Sequence, residues 1–117
     1  MTRLFPLPLL LLLASCGSPA DSSPVKVIVG AQLDPGHERP RIEHSILVIR
    51  DGKFQAVGPQ ASTPVPKGAQ ITSGMGKLIT PMASSGLIAS GEPADLVLRN
   101  AATNSAEKVM HGGEWLK

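Results

Sequence analysis

Three histidines, His37, His44 and His111, are the residues of this chain best suited to hold a metal ion or move a proton. Metal-assisted hydrolysis needs several ligands that converge and one position left open for water. His37 and His44 lie in one polar segment with Glu38 and Glu43 beside them, and no His-x-His pair occurs. That segment offers at most a loose surface site for a divalent ion; its composition reads as a solvated loop, and neither a metal nor a cofactor is expected. His111 adjoins Gly112-Gly113 and reads as an exposed hairpin residue. Ser84, Ser85 and Ser90 have no evident His–Asp arrangement to activate them, and "SSGLIASG" does not have the G-x-S-x-G spacing of a nucleophile elbow. Gly74-Met75-Gly76-Lys77 has the glycines and lysine of a phosphate loop without its full spacing or its following helix. No catalytic residue is assigned.

Cys16 is the only cysteine, so it has no disulfide partner within the chain. It follows Arg3, the apolar run Leu4 to Leu13 and a few small residues, the layout of a secretory signal. The run is short of the roughly 20 residues that a spanning helix requires, and Pro6 and Pro8 disfavour a long helix. Leu13-Ala14-Ser15-Cys16 resembles the lipobox of bacterial lipoproteins. The resemblance implies cleavage before Cys16 and a diacylglyceryl group on its thiol. Gly17 in the next position implies the outer membrane, on its periplasmic side. Two acyl chains are enough for stable anchoring, at about 0.8 kcal/mol per buried methylene. Residues 1–15 are then a signal peptide, and residues 16–24 hold the lipidated cysteine and a small, polar, proline-containing tether. Residues 25–117 are the folded part.

Composition excludes one class of partner. Lys and Arg number 11 against 9 Asp and Glu, and Arg3 falls within the leader, so the mature charge is almost balanced. There is no basic run, and two Phe with one Trp make no stacking platform, so no nucleic acid is expected. A domain of about 100 residues buries roughly two-thirds of its unfolded surface, enough for a modest core.

The elements available to position these residues are strands. In "VKVIVGAQL", Val25, Val27 and Val29 face one way and Lys26 and Ile28 the other. "SILVIRDGKFQAVG", Ser45 to Gly58, is two strand-forming runs around Asp51-Gly52, a favoured pair for a type I′ hairpin. Ile46 to Ile49 is apolar on both faces, which predicts a covered central strand. After proline-rich "PQASTPVPKG" come short strands at Ala69–Thr72 and Leu78–Thr80, then another at Ala94–Asn100. Gly112-Gly113 joins a closing hairpin. "AATNSAEKVM" is expected to hold one helical turn, Ala101 to Ala106. Six to eight short strands with turns at close spacing predict an all-β fold, a small β-sandwich.

Read in order, these segments resemble the two ends of a metal-dependent amidohydrolase of the imidazolonepropionase and prolidase type. "VIVGAQL" resembles the opening strand of that family. "SILVIRDGKFQAVGPQASTPVPKGAQIT" resembles its hairpin, "GMGKLITP" its entry into the catalytic barrel, "GLIASGEPADLVL" the stretch after the barrel, and "VMHGGEWLK" the closing hairpin. In the family both chain ends build one composite β-sandwich around an inserted (β/α)8 barrel that holds the metals. The resemblance implies that this chain keeps the sandwich and lacks the barrel, with the junction between Pro81 and Gly86. Met82-Ala83-Ser84-Ser85 stand where a Gly-Leu-Ile-Asp stretch and a His-x-His pair would follow. Short closure of such a junction costs little entropy. Asp95, in the family-typical Ala94-Asp95-Leu96-Val97, is read as structural, bonding a nearby backbone group, and Trp115 as packing.

The expectation is a non-catalytic, lipid-anchored envelope module, inactive alone, that works by protein contact or self-association. Its contact surface is expected where the barrel is absent, at Leu78, Ile79, Leu87 and Ile88, because exposed apolar patches mark interaction sites. The alternative is a fragment or split subunit of an amidohydrolase, a hydrolase of non-peptide C–N bonds, that needs a separate barrel. A small-ligand binder ranks last.

Overall fold

The computed structural model describes residues 24–83 and 86–116. Among them are eight strands: β1 Lys26–Leu33, β2 Ile42–Arg50, β3 Lys53–Pro59, β4 Gln70–Ser73, β5 Lys77–Pro81, β6 Leu96–Asn100, β7 Ala106–His111 and β8 Glu114–Trp115. A single 3-10 turn, Gln60–Ser62, interrupts the proline-rich stretch. The fold is all-β, as expected, and the strands lie in one mixed sheet of order β3-β2-β1-β5-β6-β7-β8, with β4 also on β1. Cys16 and the leader lie outside the described residues, as do Ser84 and Ser85. Among the described residues no helix is long and apolar enough to cross a membrane.

Both sequence-predicted hairpins form, for the backbone reason that identified them. Asp51 and Gly52 have φ of 56° and 78°, and Gly112 and Gly113 have φ of 57° and 84°. Two successive positive φ values are the type I′ geometry, whose twist matches that of the flanking strands. The helical turn expected at Ala101 to Ala106 does not form. Asn100 Oδ1 instead accepts from the amides of Ala102 and Thr103 at 2.9 and 3.1 Å, and Asn104 takes a left-handed φ of 64°. A short polar side chain that competes with the backbone in this way favours a turn over a helix, and β7 starts at Ala106.

β1 is the corner strand. Its first half, Lys26 to Val29, pairs in parallel with Gln70 to Ser73 of β4. Its last residues, Gln32 and Leu33, pair in parallel with Leu78 and Ile79 of β5. Between them Gly30 adopts a φ of 90° and the ladder with β2 shifts register from Val29 to Ala31. A bulge of this kind bends the strand, so that its two halves meet different neighbours within the one sheet. Ser45, buried on β2, donates its hydroxyl to the Ala31 carbonyl at 2.8 Å, which satisfies a backbone acceptor at the bend.

The bend folds the sheet over one main core. Ile28, Leu33, Leu47, Ile49 and Phe54 from β1–β3 meet Ile79, Leu96, Leu98 and Met110 from β5–β7. The layers are stitched at the rim. Phe54 N donates to Glu92 O at 2.9 Å, Ala94 N to Gly52 O at 2.8 Å, and Gly91 N to Phe54 O at 2.8 Å. A smaller cluster of Val25, Val27, Ile46 and Val48 lies on the opposite face of β1 and β2. The apolar run Ile46 to Ile49 thus feeds both clusters, with all four residues buried.

Candidate functional site

The junction between β5 and β6 is where a site was expected, and the chain crosses it compactly. β5 and β6 are direct antiparallel neighbours from Lys77↔Asn100 to Pro81↔Leu96. The segment after β5 is tied to the loop that follows β1: Asp34 N donates to Ile79 O and Ile88 N to Pro35 O, both at 2.9 Å. In that loop Gly36, His37 and Glu38 have successive φ values of 89°, 53° and 58°, one left-handed turn that Asp34 Oδ1 begins by accepting from Gly36 N at 3.1 Å.

This arrangement buries most of the apolar side chains expected to lie open there. Ile79 and Ile88 are core residues and Leu78 is buried too, while Leu87 is half-buried. The apolar residues near the junction close the domain instead of lying open, because Ile88 turns under the β1–β2 loop into the main cluster. Beside it Pro35, Pro40, Ile42, Val57 and Ala89 line a shallow groove with Arg39 at its margin. A second, more polar groove on the other side of the junction contains Arg41, Arg99 and Asp34. Arg99 there is tied down: its Nε donates to Thr80 Oγ1 at 3.1 Å and its Nη1 to Asn104 O at 3.2 Å.

The candidate chemical residues are scattered. His37 sits in the left-handed turn, whereas His44 is an exposed residue of β2. Glu43, beside it, accepts from Gln32 Nε2 at 3.3 Å. Among the described residues no three His, Cys, Asp or Glu side chains are grouped so as to hold a metal ion. Ser90 Oγ donates to the Gln55 carbonyl at 3.4 Å. Lys77 leads into β5 and pairs with Glu107. Its ammonium hydrogen bond holds Glu107 below the ordinary carboxylate value of 4.5.

Asp95 bonds the backbone, as its sequence position suggested. Its Oδ1 accepts from Gly112 N at 2.7 Å and lies 3.1 Å from His111 Nδ1, anchoring the closing hairpin. Trp115 packs against the main core, with Lys108 Nζ 5.3 Å above its ring, a cation–π contact. His111 is exposed.

What the sequence reading missed is the edge of β4. Ile71 and Met75 are 60% and 65% exposed. Ile71 stands opposite Val27, a member of the smaller apolar cluster, in the β1 register. A signal existed: no charge occurs between Lys67 and Lys77.

No protein-family profile matches the chain, and no curated protein does. Among solved structures, the chain is similar to molinate hydrolase, at 25% identity and a TM-score of 0.46 over 51% of this chain. A protein assigned as a prolidase from Bifidobacterium longum aligns at 20% identity and a TM-score of 0.46 over 50% of the chain. E. coli guanine deaminase aligns at 20% identity and 0.43 over 49%. The aligned part spans 13%, 15% and 16% of those three chains. They are amidohydrolase-family enzymes, and the likeness, limited to about half of this chain, brings no activity to it.

Proposed function

We propose that the chain is a non-catalytic β-module of amidohydrolase descent, held at the bacterial envelope by a lipid on Cys16, and that it acts by protein contact. One observation carries the contact reading. The two strand sets share a single core without any inserted domain, and large apolar side chains, Ile71 and Met75, remain at the surface on a sheet edge. Hydrolysis needs convergent groups around an open position, whereas the described His, Asp and Glu side chains are dispersed. Asp95 and Lys77 are occupied in structural pairs.

The decisive assay is turnover. The purified full chain, supplied with Zn2+, is offered molinate, a proline dipeptide and guanine. No rate above buffer is expected; saturable turnover of any of them would overturn the non-catalytic role. The anchor is tested separately. Labelled palmitate should enter the wild-type chain but not Cys16→Ser, and only the wild type should sediment with membranes. Equal labelling of both would remove the lipid anchor.

A second reading, a split amidohydrolase subunit, is favoured by the adjacency of β5 and β6, whose ends at Pro81 and Leu96 meet where the ends of an inserted domain would meet. Activity that arises only on mixing with a separately encoded barrel would support it.

A further inference from the structure

The folded sheet has three outer edges among the described residues, and two are closed or defended. The edge of β3 is covered by the segment before β6, through Phe54 N to Glu92 O, Gly91 N to Phe54 O, and a bridge from Lys53 to Pro93. The edge at β7 and β8 carries Glu107, Lys108 and Glu114. Charges at a sheet edge deter pairing with another strand.

β4 is the third edge, and among the described residues it is neither covered nor charged. Among the described residues its strand partner is β1 alone. Gln70 N donates to Val25 O at 2.8 Å and Gly74 N to Val29 O at 2.7 Å. Alternation along the strand therefore turns the amides and carbonyls of Ile71 and Ser73 away from β1. Residues 68–76 contain no charge and no proline, the usual devices against edge pairing. The exposed side chain of Ile71 flanks this row, and Met75 lies against Gly30 farther along β1.

We infer that β4 pairs antiparallel with β4 of a second copy of this chain, across a two-fold axis close to Thr72. This rests on the contact-module reading above and names its partner. Antiparallel pairing lets the outward donors and acceptors of Ile71 and Ser73 in each copy satisfy those of the other. The other edges are closed or charged, so the matching edge a second copy offers is its own β4. The contact is therefore isologous and ends at a dimer instead of propagating as a filament. Ile71 and Met75 add apolar contact at the flanks. A four-residue strand makes a small interface, at the low end of specific contacts, so the dimer is a weak one.

The test is sedimentation equilibrium of the full chain in density-matched detergent, from about 5 to 500 µM, with amide hydrogen exchange read at Ile71 and Ser73. The mass should rise from that of one chain toward twice that value as concentration increases, and both amides should gain protection as it does. Ile71→Lys and Ser73→Lys place like charges across the axis. Each should weaken association at least tenfold, about 1.4 kcal/mol, while leaving the sheet signal and the melting temperature of the monomer unchanged. Should Ile71→Lys fail to fold, Ser73→Lys and the Ser73 amide decide. A species of single-chain mass at every concentration, or a dimer that both lysines leave intact, would overturn β4 pairing. Either result would leave the contact-module reading standing, since only turnover by the chain removes that.

Discussion

A side chain on Gly74 would place its first carbon 2.6 Å from the Cβ of Ala31, at the point where β1 exchanges β4 for β5. The two backbones meet there with no room for a methyl group. Gly74→Ala should therefore destabilise the domain by about 1–3 kcal/mol, the usual cost of overpacking a site that cannot relax. Urea titration followed by far-UV circular dichroism measures it. A loss under about 0.5 kcal/mol would show that the strand exchange is looser than described.

The buried hydroxyl of Ser45 serves the same bend from the other side, donating to the Ala31 carbonyl. Ser45→Ala leaves that acceptor at the bulge without its donor. The expected loss is about 1–3 kcal/mol, the cost of an unsatisfied buried group. Ser45→Thr keeps the donor but adds a methyl group, so it should fall between Ser45→Ala and the wild type if the hydrogen bond dominates. Calorimetric melting of the three proteins gives the order.

Residues at the junction should behave as core, in contrast to the exposed patch first expected there. Ile79→Ala and Ile88→Ala should each cost about 2–5 kcal/mol, the range for emptying a buried aliphatic site. Val65→Ser, at an exposed position, should change stability by no more than about 0.5 kcal/mol. Denaturant midpoints for the three variants separate the two classes.

Acid should act at one identified pair. The hydrogen bond from Lys77 lowers the pKa of Glu107 in the folded chain. A depressed carboxylate contributes stability above its unfolded value and loses it as pH falls through the folded value. The contribution should therefore be full above the ordinary value of 4.5 and be lost as pH falls from there through the lower folded value. Glu107→Gln should remove that part of the pH dependence while leaving neutral-pH unfolding cooperative. Melting temperatures of both proteins from pH 7 down to pH 3 check the sign.

The strands were legible because their signals are local. Asp51-Gly52 and Gly112-Gly113 prescribe the backbone geometry of a hairpin, and Ile46 to Ile49 announces burial on both faces. What sequence did not yield is how β1 divides its edge between β4 and β5. That depends on a bend at Gly30 and on the close approach of Gly74 to Ala31, which are contacts between distant segments. The helical turn at Ala101 to Ala106 was misread because Asn100, just before it, captures the next amides. The burial of the junction residues is hard to read for a related reason. Leu78, Ile79, Leu87 and Ile88 are apolar whether they face a core or solvent, and the loop after β1 decides it. The β4 edge left a weaker trace, an uncharged stretch whose meaning appears only once the other edges are seen to be closed or charged.

The two strand sets complete one domain by themselves. Site-resolved hydrogen exchange on the full chain checks this at two amides that join the sets, Phe54 N to Glu92 O and Ala94 N to Gly52 O. Both should exchange only with global unfolding, at the same free energy as Leu47 in the middle of β2. Exchange of Phe54 and Ala94 at the rate of an open chain while Leu47 stays protected would mean that the sets do not close on each other.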